Sequence, residues 1–263
     1  MCCGRLRSWK GCPGIEEEAE RGEAGAVIEA VIFDFDGLIV DTETAWSLVY
    51  AELLRERGLP LPPEVLLRII GSHNDAMDEY LLGAFRDPGT VAGIHEEARL
   101  RYGRRMERPV LREGVAGYLR DAKEMGLKVG LASSSPREWI DAHFDLLGIG
   151  AFFDTVVTAD DVVNVKPHPD LYREAVRRLH AEPFRALAFE DSPNGLAAAR
   201  AAGLACVIVP NETTRHMPFR DYALRLESMA DMPLGDVIRR VFGGQPGKSG
   251  EGSRQGKKEE PME

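Results

Sequence analysis

The spacing of apolar residues changes along the chain. Residues 26–33 (AVIEAVIF) form a short, β-branched apolar run, which is typical of an interior strand of a parallel sheet. From about residue 44 to residue 108, apolar residues recur with helical spacing, and Gly, Pro and Asp residues interrupt the pattern at 58–63, at 71 and at 87–89. This part of the sequence therefore predicts one buried strand followed by several helices.

After Pro109, short apolar runs alternate with helical patterns. The predicted strands are residues 127–132, 153–157, 186–189 and 205–209, and the predicted helices are residues 113–125, 136–147, 169–179 and 193–202. Such alternation over short links implies right-handed crossovers, so the predicted fold class is α/β, with a parallel sheet and helices on both faces. The helical segment 45–109 is inserted after the first strand, and we expect it to form a cap over the carboxyl edge of the sheet, where ligands bind in such folds.

The two ends of the chain lack any such pattern. Residues 1–26 and 243–263 are polar and rich in glycine and charged residues, which predicts a disordered leader and a disordered tail around a core of residues 27–44 and 110–242. Three of the four cysteines lie in the leader and Cys206 lies in an apolar run, so no disulfide framework is visible. This cysteine usage fits a reducing cytoplasm, which is the location we expect.

Composition narrows the range of partners. The 263 residues include 33 Lys and Arg against 43 Asp and Glu, a formal charge of −10, which argues against a nucleic-acid-binding protein. No apolar run approaches the roughly 18 residues of a transmembrane helix, so we expect no membrane partner either. A small anionic substrate remains compatible with this composition, because a site can be locally positive inside an acidic protein.

Polar side chains follow four of the predicted strands. They are Asp34 and Asp36 after the first strand, Ser133, Ser134 and Ser135 after the second, Lys166 after the third, and Glu190 and Asp191 after the fourth. Each group alone has a plain structural explanation, as a turn or as the cap of the helix that follows. Because parallel strands end at the same edge of a sheet, we expect all four groups to meet there.

This combination of groups predicts phosphoryl transfer. Clustered carboxylates repel one another unless a cation lies among them, and oxygen ligands without His or Cys favour Mg²⁺. A lysine and a hydroxyl beside the metal suit the oxygens of a phosphoryl group. One aspartate can attack phosphorus, and a second, two residues further on, can protonate the leaving oxygen and then deprotonate a water.

The sequence resembles the haloacid dehalogenase (HAD)-like hydrolase superfamily in four motifs, which are DFDGLIVDTE at 34–43, LASSS at 131–135, VKPHPD at 165–170 and AFEDSPNG at 188–195. The resemblance covers about residues 28–242 and is greatest to the phosphatase and β-phosphoglucomutase branch of subfamily IA. It implies a Rossmann-like core with a helical cap, and a monomer. It also implies a Mg²⁺-dependent phosphomonoester hydrolase that acts on a small phosphorylated metabolite through an aspartyl phosphate.

The resemblance assigns roles to the acidic residues. Asp34 matches the nucleophile of the family, and Asp36 matches its general acid and base. Asp191 matches the carboxylate that holds Mg²⁺ together with the Asp34 side chain and the backbone carbonyl of Asp36. These assignments are expectations about the site at the carboxyl edge of the sheet.

The remaining motif residues receive supporting roles from the same resemblance. Ser133, Ser134 and Lys166 match the groups that bind the substrate phosphate. Glu190 matches a residue that in the family usually contacts the metal ligands and sometimes comes closer to the metal. Thr42 matches the hinge between core and cap.

Two positions depart from the β-phosphoglucomutase pattern. Trp46 stands where those mutases carry a histidine, and Asn74 stands where they carry an arginine that holds the second phosphate. Ser72, His73 and Asn74 still form the cap loop that we expect to touch the substrate. The departures favour a phosphatase over a sugar-phosphate mutase, which stays an alternative, as does a non-catalytic binding or regulatory protein of the same fold.

Overall fold

A computed structural model of the protein describes residues 28–62, 64–65 and 75–243. The predicted leader and tail, and the cap-loop residues Ser72, His73 and Asn74, lie outside the described residues. No helix among the residues described is long and apolar enough to cross a membrane.

Six strands form one sheet. They are β1 (Ala30–Phe33), β2 (Lys128–Ala132), β3 (Thr155–Val157), β4 (Ala186–Glu190), β5 (Ala205–Ile208) and β6 (Leu224–Arg225). The strand order is β3-β2-β1-β4-β5-β6, and every neighbouring pair is parallel. Since β1 lies at the centre with β2 and β4 on either side, the order reverses there, which is where ligands bind in open α/β sheets.

Helices join and flank these strands. Within the described residues they are α1 (Thr42–Glu56), α2 (Asp75–Phe85), α3 (Pro88–Arg105), α4 (Val115–Glu124), α5 (Arg137–Leu147), α6 (Asp170–Leu179), α7 (Pro193–Ala201) and α8 (Leu234–Phe242). Four helices, α1 to α4, come between β1 and β2. The first three are the inserted helices, among which α3 packs against both α1 and α2. The predicted α/β class is confirmed, with a parallel sheet and helices on both faces.

The core has two parts because the central strands β1 and β4 are buried on both faces. Phe33 and Phe189 belong to one apolar cluster, with their rings stacked at 5.0 Å, and Ile32 and Ala188 belong to a second cluster on the opposite face. Successive side chains of a strand point to opposite faces, so a sheet covered on both sides reads as an unbroken apolar run. This is why the central strands were visible in the sequence.

The element boundaries differ from the predicted ones in two ways. β1 begins at Ala30 rather than at residue 26, and most other predicted ends shift by one or two residues. β6 and α8 were not predicted. β6 has only two residues, Leu224 and Arg225, which is too short for an alternating pattern to be recognised.

The inserted helices begin and end side by side. The amide of Arg112 donates a hydrogen bond to the carbonyl of Ile39 (2.9 Å), so the chain leaves the core and returns to it at adjacent points. The Arg112 guanidinium also donates to the carbonyls of Gly37 (2.5 Å), Val209 (3.0 Å) and Pro210 (2.8 Å). One half-buried side chain thus ties together the loops that follow β1 and β5.

Candidate active site

Strand register brings the first carboxylates together. β1 and β4 pair with Phe33 opposite Phe189, so Asp34 and Glu190 are neighbours at the end of the two strands. The Asp34 amide donates to the carbonyl of Phe189 (3.1 Å), which continues the ladder one residue further. Asp34, Glu190 and Asp191 are all buried.

Lys166 lies between two of these carboxylates. Its ammonium donates to Asp34 Oδ1 and lies 2.7 Å from Glu190 Oε1, and the residue is 8% exposed. Glu190 Oε1 also accepts a hydrogen bond from the Tyr172 hydroxyl (2.6 Å). Two carboxylates therefore share one buried ammonium, and Oδ2 is the oxygen of Asp34 that Lys166 does not bind.

Burial and crowding shift the ionisation of this cluster. Burial raises the pKa of Asp34 to about 7; the Lys166 charge opposes the shift, and the charges of Glu190 and Asp36 add to it. Burial and the charges of Asp34 and Glu190 also raise the pKa of Asp191. Burial alone would lower the pKa of Lys166, but the carboxylates of Asp34 and Glu190 outweigh it and raise that pKa. The site therefore holds more negative charge than Lys166 alone compensates.

A divalent cation would relieve this imbalance. Carboxylate oxygens of Asp34, Glu190 and Asp191 lie within 4.8 Å of one another. All are hard oxygen donors without His or Cys among them, which fits Mg²⁺. Because Glu190 Oε1 already bonds to Lys166 and Tyr172, Asp34 and Asp191 are the carboxylates better suited to hold the metal.

The loop after Asp36 packs directly against Asp191. Gly37 has a φ of +84°, and a Cβ at this position would lie 2.2 Å from Asp191 Oδ2. Asn211 Nδ2 donates to the same Oδ2 (2.7 Å) and to the Gly37 carbonyl (3.2 Å). Only glycine combines this backbone conformation with such a close approach, so Gly37 fixes the distance between the aspartate motif and Asp191.

Asp36 is held by groups that follow β2. Its Oδ2 lies 2.6 Å from Ser135 Oγ and 3.4 Å from Ser133 Oγ, and its Oδ1 accepts a hydrogen bond from Trp139 Nε1 (3.0 Å). Ser133 is fully buried, and its Oγ accepts from the Ser135 amide (3.0 Å). Ser134 is exposed and makes no hydrogen bond to a described side chain or backbone group, so the structure does not join it to this cluster.

The first residues of α1 end the same motif that begins with Asp34. Asp41 caps the helix by accepting from the Thr44 amide (3.2 Å), and Thr42 is buried with a hydroxyl that has no hydrogen-bond partner among the described residues. Burial, and then the charges of Asp36 and Asp34, raise the pKa of Glu43 to about 8. A further carboxyl group therefore stands close to Asp36.

The comparisons with known proteins identify the family. A family model described as haloacid dehalogenase-like hydrolase matches residues 31–209, which is more than half of the chain. The chain belongs to the haloacid dehalogenase-like hydrolases. The resemblance seen in the four motifs is thus confirmed.

Individual relatives match 78–81% of the chain. "Putative phosphatase YhcW" of Bacillus subtilis (strain 168) is 46% identical over 213 residues, which are 81% of this chain and 97% of the relative. Hexitol phosphatase B of Escherichia coli (strain K12) is 29% identical over 223 residues, covering 80% and 97%. The crystal structure of CbbY from Rhodobacter sphaeroides in complex with xylulose-(1,5)bisphosphate has a TM-score of 0.62 and 30% identity, covering 78% and 96%.

Several residues of this haloacid dehalogenase-like site were missed in the sequence. Asn211 lies three residues after β5, at the same sheet edge, so the rule that found the other groups would have found it too. Tyr172 and Trp139 lie inside helices, where their apolar bodies suit packing, and nothing in the local sequence marks their polar atoms. Arg112 follows the inserted helices and lies outside all four motifs.

Proposed function

We propose that the protein is a Mg²⁺-dependent phosphomonoester hydrolase that acts on a small phosphorylated metabolite, such as a sugar or sugar-alcohol phosphate. The observation that carries the proposal is the buried contact of Lys166 with Asp34 and Glu190 beside Asp191. The substrate class is supported by the hexitol phosphatase among the relatives and by the xylulose bisphosphate bound to the structural neighbour.

Asp34, Asp191 and the backbone carbonyl of Asp36 would hold the Mg²⁺. When bound, the ion neutralises charge on the phosphoryl oxygens and on the crowded carboxylates. Lys166, which is bonded to Asp34, would bind the phosphoryl group, and the buried hydroxyl of Ser133 would donate to a phosphoryl oxygen. The first step therefore takes place among fixed charges and donors that need no rearrangement.

The reaction proceeds in two steps on one phosphorus atom. The Asp34 carboxylate attacks phosphorus, the bond from phosphorus to the alkoxy oxygen breaks, and Asp36 gives its proton to that oxygen. Asp36, now ionised, then takes a proton from water as the water attacks the aspartyl phosphate, which releases inorganic phosphate and regenerates Asp34. Two aspartates thus divide the roles of nucleophile and acid–base catalyst.

The test is phosphate release from a panel of sugar and sugar-alcohol phosphates. With Mg²⁺, we expect wild-type protein to release phosphate, chelation to stop it, and Asp34→Asn to lower it by at least about a thousandfold. Asp145→Asn is the matched control, because Asp145 is exposed on α5 outside the carboxylate cluster. Equal activity of wild type and Asp34→Asn would overturn the proposal, and isomerisation of a hexose 1-phosphate without phosphate release would mean a mutase.

A further inference from the structure

The two oxygens of Asp36 face different kinds of groups. Oδ1 faces the indole N–H of Trp139 at 3.0 Å. Oδ2 faces the hydroxyls of Ser135 at 2.6 Å and Ser133 at 3.4 Å. The carboxyl group is therefore held in one orientation by three side chains, all of which come from the chain after β2.

These groups differ in what they allow Asp36 to do. An indole N–H can only donate a hydrogen bond, whereas a hydroxyl can donate or accept. Oδ1 must therefore remain an acceptor as long as it faces Trp139, in the protonated and in the ionised form of Asp36. A proton on Asp36 is therefore better accommodated on Oδ2, where the Ser135 hydroxyl, 2.6 Å away, can accept a hydrogen bond from it.

We propose that Trp139 is a positioning residue that assigns the transferable proton of Asp36 to Oδ2. This inference rests on the proposed function, in which Asp36 is the acid and base and Ser133 binds the phosphoryl group. In the first step the O–H bond at Oδ2 breaks, an O–H bond forms on the leaving oxygen, and the bond from that oxygen to phosphorus breaks. In the second step Oδ2 takes a proton back from the attacking water.

Neighbouring rings keep the indole of Trp139 in place. Its ring lies 5.8 Å from the Tyr102 ring at an angle of 25°, and 4.0 Å from the His143 ring. Tyr102 in turn stacks on Trp46 at 4.1 Å and 10°. Because Tyr102 belongs to α3 and Trp46 to α1, this aromatic stack links the orientation of Asp36 to the inserted helices.

The inference is tested with two substrates that differ in their need for a proton. The leaving group of an alkyl phosphate, such as a sugar-alcohol phosphate, is a strongly basic alkoxide unless its oxygen is protonated. The aryl substrate p-nitrophenyl phosphate leaves as a stable phenolate without help. Trp139→Phe keeps a ring in the stack and removes the donor, so we expect kcat/KM to fall about tenfold for the alkyl phosphate and less than about twofold for the aryl phosphate.

Companion variants separate the possible outcomes. Asp36→Asn and Ser135→Ala should show the same selective loss, the former on a larger scale. Trp46→Phe keeps a ring against Tyr102 and leaves the Trp139 N–H donor in place, so it should affect both substrates equally. Thermal unfolding of each variant checks that it is folded. If Trp139→Phe does not fold, Ser135→Ala still tests the inference.

Two results have different meanings. If wild-type protein hydrolyses both phosphates but Trp139→Phe and Ser135→Ala lower kcat/KM equally for both, the positioning role is refuted and the proposed function stands. If wild-type protein hydrolyses neither phosphate, the proposed function itself fails.

Discussion

Replacement of Gly195 by alanine tests how tightly the buried charges are packed. Gly195 is the third residue of α7, and a Cβ there would lie 1.9 Å from the Glu190 Cδ and 2.0 Å from each of its carboxylate oxygens. Glu190 is fully buried and bonded to Lys166 and Tyr172, so the carboxylate can move away only by giving up one of these partners.

The size of the effect follows from three contributions. Losing a charge-assisted hydrogen bond costs about 1.5–3 kcal/mol, and crowding of a packed interior costs a further ~1–3 kcal/mol. Alanine in place of glycine within a helix returns up to about 1 kcal/mol. We therefore expect Gly195→Ala to lower the free energy of unfolding by about 3 kcal/mol, which is a fall in Tm of about 6–12 °C for a domain of this size.

Gly117→Ala is the matched control. Gly117 is the third residue of α4, and a Cβ there would meet no heavy atom within 4 Å. This variant should be as stable as wild type or slightly more stable in the same urea and thermal unfolding experiments. In a Glu190→Ala background, Gly195→Ala should lose most of its effect, because the atoms it displaces are gone. If Gly195→Ala and Gly117→Ala have the same Tm, the tight packing around Glu190 is refuted.

Three further predictions concern the charges around the site. Lys166→Met leaves Asp34 and Glu190 without their shared cation, so we expect a loss of about 3–5 kcal/mol of unfolding free energy at neutral pH, and wild-type stability in urea would contradict this. The pKa of Glu43 is raised from 4.5 to about 8 in the folded protein, which therefore keeps a proton that the unfolded chain loses between these pH values. In the presence of a chelator, the free energy of unfolding should fall as pH rises from about 4.5 to about 8. Glu43→Gln should remove on the order of 1–2 kcal/mol of that fall, and parallel stability–pH curves for the two proteins would refute it. Arg112→Lys cannot span the three carbonyls that the guanidinium reaches, so Tm should fall by about 3–6 °C in calorimetry, and an unchanged Tm would rule out this role.

The sheet and its polar edge could be predicted because both depend on local pattern. Strands buried on two faces appear as apolar runs, and the residues that end them share an edge in any parallel sheet. Asp34 and Glu190 follow this rule directly, since the register of β1 and β4 makes them neighbours. Lys166 lies nine residues beyond Val157, the last residue of β3, so the strand pattern predicts its edge of the sheet and the motif predicts its role.

The rest of the site depends on contacts between distant residues. Trp139 reaches Asp36 across 103 positions of sequence, and Asn211 reaches Asp191 across 20. In the sequence, Trp46 stands out only because it replaces a histidine of the mutases, and its stacking on Tyr102 depends on how two inserted helices pack. Hydrophobic periodicity determines which face of a helix is buried, but it does not specify which polar atom on that face finds a partner.

The hydrogen bond between the Arg112 amide and the Ile39 carbonyl has a consequence for how this protein can change over time. Since the backbone departs and comes back at nearly the same spot, helices α1, α2 and α3 can be shortened, enlarged or exchanged without stretching the strands beside them. Under the proposed function, substrate preference can therefore diversify through this one segment while Asp34 and Asp36 stay as they are.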